Sequence, residues 1–348
     1  MTPDDGTDAG RIDDDRIDPE EPDGVRILSD ADVETVLSVA DLLPAIETAF
    51  VKQGRGAVER PERPHFPVGT GHRALEEPGT GLVMPAYVHG ADTFVTKVAS
   101  VHPGNPARGL PTINAEIVAC DAATGLPRAF LAGTRITNAR TGCIGGLAAR
   151  DLAVDGPIRL GLIGAGAQAR WQTRAVAAAR ELDRVRVYSP SDSRVACAAD
   201  LREELGVDAE PVDSPAAALA DATVVVTATT SHEPVFPGDA LEPGTLVVAV
   251  GAYEAEMREL DAETMRRAAR VFADVPGEVA AVGDVADAGL AEADLVALSA
   301  VFEDEAGREG DDEVLVVDSV GSAVLDAAAT ELVVERAERA GVGTTVGL

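Results

Sequence analysis

A hydrophobic strand that runs directly into a glycine turn is the feature that most constrains how this chain folds. Residues 158–163 are mostly apolar and are followed by Gly-Ala-Gly-Ala-Gln-Ala and a helical pattern. In this G-x-G-x-x-A arrangement the first glycine permits a tight turn and the second lets the backbone approach a pyrophosphate. The helix that follows offers free N–H groups to phosphate. The motif therefore predicts a dinucleotide site that includes Gly164, Gly166, Ala167 and Gln168.

Short apolar runs separated by helical segments surround this motif. They lie at residues 158–163, 185–189, 223–228, 246–250, 271–273 and 314–317. Apolar runs that do not alternate with polar residues and that are separated by helices indicate a parallel sheet buried on both faces. The sequence therefore predicts a doubly wound α/β domain in the second half of the chain.

The first half of the chain has a different pattern. Residues 1–24 carry many acidic and few large apolar side chains, which predicts a disordered tail. Residues 25–51 show a helical repeat that Ser29 is placed to cap. Strands of a meander are expected at residues 82–86, 93–98 and 113–120. A last helix over residues 323–340 is expected to pack back on this half.

Composition excludes several classes of protein. The net charge of −31 repels nucleic acid and anionic membrane surfaces. Three scattered cysteines exclude a disulfide scaffold, and the histidines show no metal-ligand spacing, so no metal is expected. No apolar stretch approaches the ~20 residues of a membrane helix. A cytoplasmic protein is expected, and its acidity with only two lysines, Lys52 and Lys97, suggests a salt-loving host.

The end of the second strand of the parallel sheet bears on which dinucleotide binds. An NAD site usually has an acidic residue there, about 20 residues after the glycine turn. This chain has Ser189 instead, with Ser191 and Arg194 nearby. Hydroxyls and an arginine suit a 2′-phosphate, so NADP(H) is favoured. NAD(H) stays the alternative because Asp192 could turn back towards a ribose.

A second group of motifs lies in the first half. Met84 begins Met-Pro-Ala, Lys97 begins Lys-Val-Ala-Ser-Val-His-Pro-Gly-Asn-Pro, and residues 137–142 read Thr-Asn-Ala-Arg-Thr-Gly. Together with the glycine turn, these motifs resemble the ornithine cyclodeaminase/mu-crystallin family over residues 25–340. That family includes cyclodeaminases, archaeal alanine dehydrogenases and cyclic ketimine reductases.

The resemblance implies a fold and an assembly. It implies that a Rossmann NAD(P)-binding domain, residues 137–321, is inserted into a smaller α+β domain for substrate binding and dimerisation. The smaller domain would consist of residues 25–136 and 322–348. The resemblance also implies a homodimer that binds a small imino or amino acid.

The resemblance further implies which residues form the site. Lys97 matches the family's catalytic lysine. The residues it assigns to the substrate are Arg63, Met84, Lys97 and Arg140. Since the loop before Met84 is long, Arg60 or Arg73 could replace Arg63. The further residues it assigns to the cofactor are Thr112, Arg140, Thr141, Thr230, Val250, Gly251 and Ser319. These roles make chemical sense, because a guanidinium binds a carboxylate with two hydrogen bonds and neighbouring cations lower the pKa of a lysine.

One departure from the family pattern separates the alternative activities. Cyclodeaminases and some alanine dehydrogenases have an aspartate where this chain has Tyr253, and tyrosine is a poor base at neutral pH. The sequence therefore favours a reductase that transfers hydride to the imine carbon of a 2-carboxylate substrate, such as a cyclic ketimine. The alternatives are ornithine cyclodeaminase, which forms proline and ammonia with NAD as a catalytic cofactor, alanine dehydrogenase, and a non-catalytic protein that binds NADPH and a small ligand.

Overall fold

The structure, a computed structural model, describes residues 24–72 and 79–347. The predicted acidic tail, apart from Gly24, and the candidate Arg73 lie outside these ranges. The strands, in chain order, are β1 (Val25–Leu28), β2 (Val58–Glu59), β3 (His65–Val68), β4 (Gly79–Val88), β5 (Thr93–Val101), β6 (Ile113–Asp121), β7 (Pro127–Ala132), β8 (Ile158–Ile163), β9 (Leu182–Tyr188), β10 (Asp208–Pro211), β11 (Val224–Thr227), β12 (Leu246–Ala249), β13 (Ala268–Ala273), β14 (Val296–Ala297), β15 (Val314–Asp318) and β16 (Thr344–Val346). The α-helices are α1 (Asp30–Val36), α2 (Val39–Gly54), α3 (Gly133–Leu152), α4 (Ala167–Ala179), α5 (Ser193–Leu205), α6 (Pro215–Leu219), α7 (Ala262–Arg267), α8 (Pro276–Val279), α9 (Gly283–Asp287), α10 (Ser299–Phe302) and α11 (Ala323–Ala340).

The first sheet is mostly antiparallel. Its strand order is β16-β1-β7-β6-β5-β4-β2, with β3 also paired to β4, and β1 runs parallel to β7. The single helix predicted over residues 25–51 is wrong at its start, because residues 25–28 form an edge strand and two helices follow. Ser29 does cap α1, and it forms a reciprocal capping box with Asp32. Alternation along β5 leaves one face of the sheet covered and the other exposed.

The second sheet is parallel throughout and has the strand order β10-β9-β8-β11-β12-β15-β13-β14. Helices cover both of its faces, which confirms the predicted Rossmann-type arrangement. The strand order reverses beside β8, so a crevice opens outside the carboxyl ends of β8 and β11. The predicted glycine turn lies at that point.

Helix α3 contacts both sheets, at β6 in the first and β12 in the second, and it packs along α4. Helix α11 contacts α2, α3, β4 and β5, which confirms that the last helix packs back on the first half. The predicted boundary between residues 136 and 137 falls inside α3. Within the described ranges, none of the helices has the length and apolarity that a membrane crossing requires.

Candidate functional site

The glycine turn after β8 has the geometry of a phosphate cradle. Gly164 has φ of +110°, and a Cβ there would lie 2.4 Å from the Ala228 carbonyl oxygen. A Cβ on Gly166, which precedes α4, would meet no atom within 4 Å. The first turn of α4 holds no acidic residue, and no side chain caps its N–H groups. The turn is thus sterically closed at Gly164 and open at Gly166, where an anionic group would approach.

Unpartnered polar atoms lie beside this turn. The Gln168 amide donates to Asn138 on α3 at 2.8 Å, but the Gln168 side-chain oxygen is buried without a hydrogen-bond partner. The buried Thr137 hydroxyl also lacks a partner, whereas the Thr141 hydroxyl donates to the Thr137 carbonyl oxygen at 2.8 Å. Buried polar atoms without partners are uncommon in folded proteins, so these atoms fit a site that a polar ligand completes.

A cluster of hydroxyls follows β9, where the sequence places the ribose. The Ser189 and Ser193 hydroxyls are 3.1 Å apart, and those of Ser191 and Ser193 are 2.7 Å apart. Arg194 donates to the Ser191 carbonyl oxygen at 2.9 Å and to the Asp213 carboxylate at 3.1 Å. The structure therefore brings together the three residues that the sequence assigns to this end of the cofactor, and it adds Ser193.

The catalytic lysine candidate sits in a buried charge cluster. Lys97 on β5 and Arg140 on α3 both bind Asp326 of α11: Lys97 Nζ lies 2.5 Å from Oδ2, and Arg140 Nε lies 3.0 Å from Oδ1. All three side chains are buried. Met84 pairs with Lys97 across β4 and β5, so it lies beside the lysine on the same face of the sheet. The structure thus unites three of the four predicted substrate residues.

Burial and charge set the protonation of this cluster. Burial, reinforced by Arg140 and opposed by Asp326, lowers the pKa of Lys97 to about 8. Burial raises the pKa of Asp326, but Arg140 and Lys97 outweigh it and hold that pKa below its ordinary value. Asp326 therefore stays ionised while Lys97 can exchange a proton near neutral pH.

Arg63 lies between this cluster and an open cleft of 890 Å³ that it lines together with Tyr253. Its guanidinium donates to the Val320 carbonyl oxygen at 3.3 Å and pairs with Glu278 at 3.1 Å. Its charge lowers the pKa of Lys97, although less than burial does. Arg60 also pairs with Glu278. The positive charge of Arg63 acts on two neighbouring groups: it adds to the lowering of the Lys97 pKa and opposes the rise of the Tyr253 pKa.

Loops at the carboxyl ends of β11 and β12 border the crevice on the other side. The buried Glu259 carboxylate accepts from the backbone N–H groups of Thr229 at 2.6 Å and Gly251 at 2.7 Å. Burial raises the pKa of Glu259 to about 7 despite these bonds. Thr230 and Val250 lie next to the two anchored residues, so one carboxylate holds both of these predicted cofactor-binding segments.

The two remaining predicted cofactor residues are Thr112, which stands apart from these groups, and Ser319, whose N–H donates to the Ala249 carbonyl oxygen at 3.0 Å next to Val250. Thr112 lies in the connection between β5 and β6, where its carbonyl oxygen accepts from the His102 N–H at 2.8 Å. The Ser319 hydroxyl donates to Asp274 at 2.6 Å. Their cofactor roles stay predictions. Within residues 24–72 and 79–347, His, Cys, Asp and Glu side chains form no group of three or more that could hold a metal ion.

Sequence reasoning missed Asp326, Asp274 and Glu259. Asp326 interrupts the apolar stripe of α11, four residues before Thr330 and seven before Val333, so an acid on a buried helical face was the available signal. Asp274 directly follows β13, at the carboxyl edge of the parallel sheet where ligands bind.

Comparisons with known proteins show the family to which the chain belongs. A sequence model of the ornithine cyclodeaminase/mu-crystallin family matches residues 25–341. A Delta(1)-pyrroline-2-carboxylate reductase of Bacillus cereus is 34% identical over 295 residues, which is 82% of this chain and 90% of that protein.

Two solved structures are similar over most of the chain. Thermococcus litoralis Delta(1)-pyrroline-2-carboxylate reductase, in complex with NADH and L-proline, has a TM-score of 0.87 at 32% identity, with 92% of this chain and 100% of that chain covered. An archaeal alanine dehydrogenase dimer with bound NAD has a TM-score of 0.84 at 28% identity, with 93% and 99% covered.

Fold, site and relatives together define an NAD(P)-dependent oxidoreductase that acts on CH–NH or CH–NH2 groups. The chain belongs to the ornithine cyclodeaminase/mu-crystallin family. The predicted family, fold class and enzyme class are thereby confirmed. The choice of NADP(H), the homodimer and the role of each site residue are proposals.

Proposed function

We propose that this protein is an NADPH-dependent reductase of cyclic imino acids that carry a 2-carboxylate, and that it forms the corresponding L-amino acid. The observation that carries the proposal is the buried contact of Lys97 and Arg140 with one carboxylate, Asp326. The charge of Arg63 reaches Lys97, and Arg140 lies on α3, which Gln168 after the glycine turn contacts through Asn138. Asp326 and Glu278 pair with these cations, and the guanidinium groups of Arg63 and Arg140 can bind the single carboxylate of a small substrate.

The side chains divide the work of the reaction. Arg63 and Arg140 would bind the substrate carboxylate and fix the orientation of the ring. NADPH, when bound at the glycine turn, supplies the hydride that the imine carbon receives. Lys97, protonated below its pKa of about 8, would donate a proton to the imine nitrogen. The C=N bond thus becomes CH–NH, and Lys97 regains its proton from water.

Tyr253 supports reduction rather than cyclodeamination. It lines the cleft where the sequence pattern places an aspartate in cyclodeaminases, and burial together with Glu254 raises its pKa above the usual value. A neutral phenol accepts a proton poorly at neutral pH. It packs near Val320, Met257 and Val282 in a small apolar cluster, which suits an apolar ring on the substrate.

A substrate panel tests this function. Purified protein is assayed with 1-pyrroline-2-carboxylate, 1-piperideine-2-carboxylate, pyruvate plus ammonium, and L-ornithine, each with NADH and with NADPH. The proposal expects NADPH oxidation with the cyclic imines and a preference for them over pyruvate plus ammonium. Ammonia release from ornithine without net change in nicotinamide would establish the cyclodeaminase instead. NADPH binding without turnover of any compound would identify a binding protein.

The NADPH preference is a separate proposal. Its support is the hydroxyl cluster around Ser189 with Arg194 beside it and no carboxylate at the end of β9. Arg194→Gln should weaken NADPH binding about tenfold or more and leave NADH binding unchanged, because a charge-assisted bond contributes about 1.5–3 kcal/mol. Ser189→Asp should reverse the preference. Arg202→Gln, on the same helix, is the control. Equal affinities of wild type for NADH and NADPH would refute the preference.

We propose a homodimer formed through the uncovered face of the first sheet. Ile27, Phe130, Val118 and Thr96 are paired in one row across four strands, and Ile27 and Phe130 are 39% and 37% exposed. Val98, on the same face of β5, is 48% exposed. A row of exposed apolar side chains marks an interaction surface. Phe130→Glu should convert a dimer to a monomer in sedimentation experiments, and a wild-type monomer would refute the assignment.

We also propose that the protein works at high salt. Its net charge of −31 produces self-repulsion that salt screens. Activity and melting temperature should therefore rise between about 0.1 and 2 M KCl, where the Debye length falls from about 10 Å to below 3 Å. A protein that is equally stable at both concentrations would contradict this proposal.

A further inference from the structure

We propose that Asp274, which follows β13, is a positioning residue for the substrate carboxylate. It holds the loop that contacts Arg63 and Arg140, the two arginines that form the proposed carboxylate clamp. The inference deepens the proposed function and rests on it for the identity of the substrate. The loop is residues 319–321, which connects β15 to the start of α11.

Asp274 binds this loop through both oxygens of its carboxylate. Its Oδ2 accepts from the Ser319 hydroxyl at 2.6 Å and from the Gly321 N–H at 2.8 Å. Its Oδ1 accepts from the Val320 N–H at 3.2 Å and from its neighbour Val275 N–H at 2.8 Å. The side chain is 2% exposed, so it is shielded from water. Every residue of the loop is therefore tied to one buried carboxylate.

The loop in turn touches both arginines. The Val320 carbonyl oxygen accepts from Arg63 Nη1 at 3.3 Å. Gly321 has φ of +79°, and a Cβ there would lie 2.7 Å from Arg140 Nη1. The guanidinium of Arg140 therefore packs directly on the loop backbone. A shift of the loop would move the support of both guanidinium groups together.

The same aspartate links the loop to the other half of the molecule. Gln53 at the end of α2 donates its amide to the Asp274 carbonyl oxygen at 2.7 Å, and its side-chain oxygen accepts from the Ser322 hydroxyl at 2.7 Å. Gln53 thus binds both Asp274, which holds the loop, and Ser322, which follows it, to the end of α2. This arrangement fixes the distance between arginines that come from two different parts of the chain.

Asp274 does not need to touch substrate to act in this way. Its carboxylate oxygens are occupied by four donors, so its effect passes through the loop. In Asp274→Asn, one oxygen becomes an NH2 group that must face N–H donors of the loop. Two donors that face each other cannot bond, so the loop should lose part of its anchorage.

Asp261→Asn is the matched control. The Asp261 carboxylate also accepts from two backbone N–H groups and one hydroxyl, those of Gly238 at 3.0 Å and Thr264 at 2.7 and 2.8 Å. It caps α7 and touches neither arginine. Because Asp261 bonds neither arginine, loss of a comparable set of hydrogen bonds there separates general destabilisation from a specific effect on the clamp.

The experiment measures kinetics and ligand binding for wild type and both variants. In Asp274→Asn, KM for 1-pyrroline-2-carboxylate and Kd for the non-reducible pyrrole-2-carboxylate should rise about tenfold or more, since small misplacements of a clamp are costly. KM for NADPH should rise by a smaller factor, because Ser319 is the one residue of the loop that is assigned to the cofactor. Asp261→Asn should change neither constant. If Asp274 had a structural role alone, Asp274→Asn would lower the melting temperature, and the ratio of the KM for 1-pyrroline-2-carboxylate to the KM for NADPH would stay at its wild-type value.

Amide hydrogen exchange of the loop peptide gives an independent readout. Protection of residues 319–321 should fall in Asp274→Asn and not in Asp261→Asn. An unchanged KM and Kd for the carboxylate ligands in Asp274→Asn would overturn the inference while leaving the proposed function intact. A wild type that neither reduces nor binds these carboxylates would overturn the proposed function, and unchanged exchange of the loop would then overturn the anchoring role as well.

Discussion

The charge balance around Lys97 makes a prediction that can be worked out from the structure. Asp326 is the carboxylate within bonding distance of Lys97, at 2.5 Å, and it opposes the burial that lowers the pKa of the lysine to about 8. An opposite charge this close changes a pKa by about 1–3 units. In Asp326→Asn the pKa of Lys97 should therefore fall by that amount, to about 5–7.

The sign of the effect follows from the proposed role of Lys97 as a proton donor. Its protonated form is active, so kcat/KM for imine reduction by the wild type should fall as the pH rises above about 8. In Asp326→Asn the fall in kcat/KM should begin about 1–3 pH units lower. If the pKa of Lys97 falls by about two units, Lys97 is protonated in about one-tenth of the molecules at pH 7. Arg140 also loses its partner, and breaking a buried pair costs about 3–5 kcal/mol of stability.

The assay is a profile of kcat/KM against pH at saturating NADPH, with thermal unfolding to establish that the variant is folded. Glu331→Gln is the control on the same helix, since Glu331 accepts from the Thr93 N–H at 3.1 Å and lies away from the lysine. Its profile should match the wild type. A profile of folded Asp326→Asn that still falls near pH 8 would refute the coupling between the two residues. Lys97→Met with wild-type kcat would remove Lys97 from the reaction.

Three further predictions concern other parts of the site. Gly164→Ala should lower both stability and NADPH affinity, because φ is +110° and the new Cβ would meet the Ala228 carbonyl oxygen. Gly166→Ala, whose Cβ would point into open space, should lower NADPH affinity and keep the melting temperature. Fluorescence titration and thermal unfolding check both variants, and a Gly166→Ala variant that binds NADPH as tightly as the wild type would contradict the phosphate cradle. Gly321→Ala should raise KM for the imine about tenfold and KM for NADPH by a smaller factor, since the Cβ would displace Arg140 and φ of +79° strains the new residue. Steady-state kinetics on the folded variant check this, and an unchanged KM for the imine would count against the carboxylate role of Arg140. Asp318→Asn should stabilise the protein at neutral and higher pH, because burial and neighbouring carboxylates penalise the ionised Asp318 and an amide carries no charge. Burial and the carboxylates of Asp284, Asp274 and Glu259 raise the pKa of Asp318 in the folded protein, so the wild type loses stability as the pH rises above the pKa that Asp318 has in the unfolded chain. The stabilisation by Asp318→Asn should therefore be larger at about pH 8 than at about pH 5. Equal stabilisation at both pH values in denaturant titrations would contradict this reasoning.

The parallel sheet was predictable because its signals are local. A buried strand, a glycine turn and a helix N-terminus occupy consecutive residues around Gly164, and each is dictated by backbone sterics and hydrogen bonding over a few positions. The last helix was also found with its observed bounds, Ala323–Ala340. The start of the first half was not, because residues 25–28 are a strand only through pairing with β7 and β16, which are distant in sequence.

The candidate site divides in the same way. The sequence alone determined the dinucleotide turn, the absence of an acidic residue at the end of β9, and a lysine and arginines in family motifs. Only the tertiary structure decided that Asp326 bridges Lys97 and Arg140, and that Asp274 and Glu259 anchor the loops around the crevice. The physical reason is that a buried carboxylate is tolerated only where partners converge on it, and those partners come from positions up to 229 residues away.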